Sequence, residues 1–266
     1  MVSDCSYQAE GFSVDQRPIG FLDSGLGGIS VLGEALRQLP EENYVYFGDT
    51  ANAPYGDKDP ETVYQLTHQA VDKLMALDCK AIVIACNTAT SCAGGRLRQE
   101  LHLPIIGLEP ALKPASLLPG DGKILVLATS VTLALPKFQA LMTLYGKDAL
   151  PVPCPGLMEC VEQGHLDDDH VHSLLKTILS PWIDQPIKAV VLGCTHYPFL
   201  RKAIAPFFPA DVPLIDGNAG AIRQLKRRLT EENLLSGKGN GSITFLSSCE
   251  DESTLLRMQS MLALCR

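Results

Sequence analysis

One stretch of the chain is stated twice, and that repetition limits the folds open to it. Lys80-Ala81-Ile82-Val83-Ile84-Ala85-Cys86-Asn87-Thr88 returns as Lys188-Ala189-Val190-Val191-Leu192-Gly193-Cys194-Thr195-His196, an offset of 108 residues from Cys86 to Cys194. In each copy an apolar, β-branched run lies between a lysine and a small residue, the pattern of a strand buried on both faces of a parallel sheet. Each copy then delivers a cysteine and two hydrogen-bonding side chains to the strand's carboxyl end. That is the edge at which open α/β sheets hold their ligands. The pattern predicts two thiols facing one small molecule.

Two further pairs keep nearly the same spacing. Ile19–Leu22 runs into Asp23-Ser24, and Lys123–Leu127 runs into Ala128-Thr129-Ser130, an offset of 106 from Asp23 to Thr129. Pro104-Ile105-Ile106-Gly107 is echoed by Pro213-Leu214-Ile215-Asp216, an offset of 109. Chance similarity could explain one pair, but three in order predict two similar α/β lobes with mainly parallel sheets. Internal pseudo-symmetry relates the lobes. Asn43–Phe47 reads as a further strand. Helices are expected over Ile29–Gln38, Glu61–Leu77, Gly94–Leu101 and Asp169–Trp182, with another starting near Leu157. Pro151–Pro155 reads as a proline-rich loop.

After Asp216 come a helix over Ala219–Thr230, a turn at Gly237–Gly241, an edge strand over Ser242–Leu246 and a helix over Glu252–Cys265. The basic cluster Arg223, Lys226, Arg227 and Arg228 reads as a solvated helix face. This tail has no counterpart ahead of the second half, so it is expected to return to the first lobe. The division expected is an extension over 1–17, a first lobe over 18–112 with 217–266, and a second lobe over 113–216.

The chain has 266 residues, 46% hydrophobic and 20% charged, enough to bury the core of an enzyme-sized protein. A formal net charge of −8 and a pI near 5.2 argue against nucleic acid or an anionic membrane as the main partner. Nine cysteines, an odd number without a C-x-x-C pair, read as free thiols in a reducing compartment. Asp4, Glu10 and Asp15 without an apolar h-region do not make a signal peptide. No apolar run reaches the roughly 18 residues of a membrane helix. The expected location is the cytoplasm.

The turn Asp23-Ser24-Gly25-Leu26-Gly27-Gly28 admits three readings. A dinucleotide fingerprint needs G-x-G-x-x-G/A, and Ser30 occupies its last required position. The glycines could simply permit a tight turn. Alternatively, the N–H groups at the helix start could hold a carboxylate. The last two readings stand level, ahead of the first.

Two thiols across a substrate carbon can do what one cannot. One, as thiolate, takes a proton from one face, and the other returns a proton to the opposite face. A stereocentre is inverted with no cofactor and no metal. Free cysteine ionises near pH 8.5, so each thiol needs a helper. Asp23 ends the strand beside that of Cys86, and His196 lies two residues past Cys194, on the same side if that strand end is extended. Backbone N–H groups near Ser24 and the side chains of Asn87, Thr88 and Thr195 suit charge that develops on the substrate. Cys5, Cys79, Cys92, Cys154, Cys160, Cys249 and Cys265 read as packing. Other readings remain open: a thiol hydrolase using Cys194 or Cys86 with His196, zinc on Cys86, Cys194 and His196 without typical ligand spacing, and a non-catalytic binding module.

Asp23-Ser24-Gly25-x-Gly27-Gly28, Pro54-Tyr55-Gly56, Ala85-Cys86-Asn87-Thr88-Ala89 and Gly193-Cys194-Thr195-His196-Tyr197-Pro198 resemble, in order, the signature blocks of the glutamate racemase family. The similarity runs from about Pro18 to the C-terminus, and together the blocks are specific. The resemblance implies two α/β lobes with the site between them and a cofactor-independent, two-cysteine interconversion of L- and D-glutamate. D-glutamate then supplies peptidoglycan synthesis. It implies that Cys86 and Cys194 are the acid/base pair, Cys86 associated with D-glutamate and Cys194 with L-glutamate. Supporting groups fall on Asp23, His196 and Glu162, with Glu159 competing for the last. Substrate contacts fall on Asp23, Ser24, Tyr55, Gly56, Asn87, Thr88, Thr129, Thr132, Thr195 and His196. A related racemase acting on aspartate or another small carboxylate is the near alternative. A homodimer is a further expectation. Some family members with an N-terminal extension require UDP-MurNAc-L-alanine as activator, which this chain's extension raises as a hypothesis. Asp216-Gly217-Asn218 departs from the Asp-Ser or Asp-Pro of many relatives.

Overall fold

The structure, a computed structural model, describes residues 15–237, 241–249 and 251–265. The expected extension over 1–17, with Cys5, therefore falls largely outside the described residues, as does part of the Gly237–Gly241 turn. The described strands are β1 (Ile19–Asp23), β2 (Tyr44–Gly48), β3 (Ala81–Ile84), β4 (Ile105–Gly107), β5 (Lys123–Ala128), β6 (Ala149–Pro153), β7 (Ile187–Leu192), β8 (Leu214–Asp216) and β9 (Ile243–Ser247).

They form two wholly parallel sheets, β4-β3-β1-β2-β9 and β6-β5-β7-β8. Read in matching directions, β4-β3-β1-β2 and β8-β7-β5-β6 are the same order, so the repeat seen in the sequence is a repeat of topology. Every residue of β1, β2 and β3 is buried, as continuous apolar runs require when helices cover both faces. β9 pairs with β2 from Tyr44↔Ile243 to Gly48↔Ser247, so the tail does return to the first sheet.

Three local readings differ from the structure. Pro151 and Pro153 lie in β6, not in a loop. β6 pairs only with β5 and occupies a sheet edge, where a missing N–H costs no ladder bond. The helix expected from Gly94 begins at Asn87 and runs to Glu100, with Cys86 as its N-cap. Threonines and the Gly94-Gly95 pair, all weak helix formers, hid its first two turns. The helix from Asp169 stops at Leu179, short of Trp182, because Pro181 has no N–H to continue the ladder beyond Ser180.

At the amino end of β3, Lys80 is almost wholly buried and lies 2.6 Å from Glu42 and 2.6 Å from the Asp15 carbonyl. Glu42 in turn accepts the Ser236 N–H at 2.8 Å. Among the described residues no helix is long and apolar enough to cross a membrane.

Candidate active site

β1 and β3 are neighbours, so their carboxyl ends place Asp23 beside Cys86. Asp23 has no exposed surface; its carboxylate accepts the Gly25 N–H at 3.0 Å and the Thr195 hydroxyl at 3.4 Å. Burial, and the nearby charge of Glu162, push its pKa up against the pull of His196. Cys86 accepts the Ala89 N–H at 3.5 Å and lies 3.6 Å from the Ser24 hydroxyl. A helix N-terminus favours a thiolate, but burial wins here. With the Asp23 charge it pushes the Cys86 thiol up to about 12.

Cys194 is surrounded differently. β7 ends at Leu192, so Cys194 and His196 sit in the turn beyond it and not on an extended strand. The turn brings Cys194 Sγ to 3.6 Å from His196 Nδ1, and His196 Nε2 lies 2.7 Å from Glu162 Oε1. Burial opposes charge on the imidazole, but its bonds to Cys194 and Glu162 hold its pKa well above the usual range. Glu162, whose burial alone would raise it, is lowered by the same bond to His196. Glu159 lies one turn earlier on the helix Leu157–Gln163 and lines the cavity instead.

The N–H groups of the glycine turn hold carboxylates of the protein's own side chains, Asp23 and Glu162, and close packing adds a reason for the glycines that none of the three readings gave. A Cβ on Gly25 would overlap Glu162 Oε1, and one on Gly27 would overlap His196 Nδ1. The Leu26 N–H donates to Glu162 Oε1 at 2.7 Å. The turn is bare because the second lobe's side chains press directly on it. Further bonds tie the strand ends across the lobes: the Ser30 hydroxyl donates to the Thr195 carbonyl at 2.9 Å, and the Asn87 amide donates to the Gly193 carbonyl.

Between the sheets lies a cavity of about 130 Å³. Cys86 and Cys194 both line it, as do Ser24, Tyr55, Gly56 and Asn87. Thr88, Thr129, Thr132, Thr195 and His196 complete the expected set; Asp23 and Glu162 stand behind the wall. The Thr129 hydroxyl donates to Thr132 at 2.9 Å, and Thr132 lies 3.3 Å from Thr88. Tyr55 donates to Asp49 at 2.6 Å, and burial keeps its phenol neutral. Cys154, expected only to pack, also lines the cavity, its thiol donating to the Val152 carbonyl at 3.3 Å. No sequence signal marked it, because β6 was hidden in its prolines. Among the described residues no three His, Cys, Asp or Glu side chains are grouped to hold a metal ion.

Two parallel α/β lobes closing on a small polar cavity that carries thiols define a small-molecule enzyme of the α/β class. Comparison with known proteins narrows the class. The model of the Asp/Glu/Hydantoin racemase family matches residues 24–225. A curated glutamate racemase of Clostridium perfringens is 48% identical over 242 residues, 90% of this chain and 93% of the relative. The crystal structure of the glutamate racemase isoform RacE1 from Bacillus anthracis superposes with a TM-score of 0.83 at 31% identity, covering 94% of this chain and 95% of that one. The Escherichia coli glutamate racemase, solved with L-glutamate and the activator UDP-MurNAc-ala, superposes with a TM-score of 0.76 at 27% identity, covering 87% and 98%. The chain belongs to the Asp/Glu racemase family and is an isomerase.

Proposed function

We propose that this protein interconverts L- and D-glutamate by moving protons between two cysteines, without a cofactor. One observation carries the reading: Cys86 and Cys194, from equivalent strand ends of the two lobes, line one cavity with unlike partners. Cys194 has an imidazolium beside it, the neighbour a thiolate base needs. Cys86 is held as a thiol, the state an acid needs. In this arrangement Cys194 takes the α-proton of L-glutamate and Cys86 returns a proton to the other face. In the reverse direction the roles exchange.

His196 and Glu162 support Cys194, and Asp23 supports Cys86 through the Ser24 turn. Asn87, Thr88, Thr195 and the Thr129–Thr132 pair supply donors for the substrate carboxylates. The lobes divide at 18–112 with 217–266 and at 113–216. The product supplies D-glutamate for peptidoglycan synthesis in the cytoplasm. Activation by UDP-MurNAc-L-alanine is a further part of the proposal, supported by the activator bound to the E. coli relative. Turnover that is equal with and without the nucleotide precursor would remove it.

The test is proton NMR of L-glutamate in D₂O with purified protein and a chelator. The expected result is loss of the α-proton signal with D-glutamate appearing on a chiral column. Silence with L-glutamate, with added precursor and with aspartate would overturn the reading. Turnover of aspartate alone would select the other substrate.

A further inference from the structure

The chain of contacts behind Cys194 does not end at Glu162. Glu162 Oε1 lies 2.7 Å from His196 Nε2 and accepts the Leu26 N–H at 2.7 Å. That N–H and the Gly25 carbonyl belong to one planar peptide group and point to opposite sides of it. The carbonyl accepts the Tyr46 hydroxyl at 2.8 Å. Tyr46 stands on β2, wholly buried, its ring centre 6.1 Å from that of Phe245 on the paired strand β9. Gly48, two residues further on, lies so close to the same carbonyl that a Cβ there would meet it at 2.7 Å. Burial, with the charges of Asp23 and Glu162, pushes the Tyr46 phenol well above its usual pKa, so the hydroxyl stays a donor through the working pH range. The Gly25–Leu26 peptide is thus anchored in the first lobe's core at one end and on a second-lobe side chain at the other.

We propose that Tyr46 is a positioning residue for the reaction: it sets the Gly25–Leu26 peptide, the peptide sets Glu162, and Glu162 sets the imidazole beside Cys194. This rests on the two-thiol reading. A donor at the carbonyl end of a peptide polarises it and strengthens the N–H at the other end. Burial works against charge on Glu162, and its bonds to His196 and to the Leu26 N–H hold its pKa down against that. Without the tyrosine hydroxyl the N–H bond weakens, and the carboxylate takes up a proton at a higher pH. A protonated Glu162 no longer holds the imidazolium that Cys194 needs. The acid limb of the activity profile then moves up.

Tyr46→Phe keeps the ring and removes the hydroxyl, and Tyr44→Phe is its matched control. Tyr44 is also buried on β2, and its hydroxyl donates to the Leu39 carbonyl at 2.6 Å. It pairs with Ile19, at the opposite end of the strand from the glycine turn. The readout is the pH profile of kcat/KM, with melting temperatures to compare the two altered proteins. For Tyr46→Phe the acid limb should rise by about half a pH unit or more. Its kcat/KM at the optimum should fall about tenfold, equally in both directions because the two enantiomers are equal in energy. Tyr44→Phe should lose comparable stability and keep the parent's profile. Gly48→Ala presses on the same carbonyl with Tyr46 in place, should move the limb the same way, and decides the question if Tyr46→Phe does not fold. A folded Tyr46→Phe with the parent's limb, or a Tyr44→Phe that moves the limb as far, would overturn the role of Tyr46. Failure of the two-thiol reading shows elsewhere, as racemisation that survives loss of Cys86 or Cys194.

Discussion

The two central thiols differ in their surroundings, and the difference decides what each substitution does. Cys86 and Cys194 line the cavity, while Cys92 is half-buried on the helix Asn87–Glu100, away from it. Cys86→Ser and Cys194→Ser should each lower kcat/KM by at least about 10²-fold, because a serine hydroxyl cannot exchange protons near neutral pH. Cys92→Ser should stay near the parent rate on a chiral column. Full activity in either of the first two would remove the two-thiol mechanism. Gly25 makes a second case. An alanine there would drive its Cβ into Glu162, the support of His196. Gly25→Ala should cost about 1–3 kcal/mol by overpacking and lower kcat/KM by about 10²-fold through displacement of the imidazole. A fully active Gly25→Ala protein would show that the turn yields and Glu162 does not depend on it. The cysteines could be singled out because each follows a repeated strand by two residues. The need for a bare Gly25 was not, since it arises from a side chain 137 residues away pressing on the turn.

Elements were legible where one signal dominated and obscure where two competed. β1, β3, β5 and β7 announced themselves as unbroken apolar runs because both of their faces are covered. β6 did not, because its prolines signal a loop unless one knows that it lies at an edge. The helix after Cys86 was misplaced by seven residues, since propensity is a weak prior beside tertiary packing. The lysine that opens each repeated strand shows the same limit. Lys188 donates to the Leu118 carbonyl at 3.4 Å and stays partly exposed. Lys80, its counterpart, is sealed against Glu42 at 2.6 Å. Removing one partner of a buried pair leaves the other charge uncompensated. Lys80→Met should therefore cost about 3–5 kcal/mol in urea unfolding without altering the rate of the folded protein. Pairing it with Glu42→Gln should recover part of the loss. If Lys80→Met unfolds with the parent, the pair contributes nothing to stability.

At the scale of the molecule, packing helices on two sheets buries thiols throughout, and this sets how stability answers to pH. Burial lifts Cys79, Cys86 and Cys154 from 9.0 to about 12. Cys92 and Cys265 rise from 9.0 to about 11 for the same reason. These thiols keep their protons in the folded state at pH values where the unfolded chain releases them. Their contribution to stability is whole below about pH 9 and is lost as pH climbs through the folded-state values. Buried tyrosines add to the trend, since burial also raises Tyr44, Tyr46 and Tyr197. The melting temperature should thus hold level up to about pH 9 and fall steeply toward about pH 11. Cys79→Ala, far from the cavity, should make that fall shallower while leaving racemisation intact, because its thiol no longer titrates. A melting temperature that stays flat across this range would mean that the thiols ionise in place, and that the cavity admits charge more readily than its packing implies. Cys86 could not then be held as the acid by burial, and its proton would have to be retained by the charge of Asp23 instead.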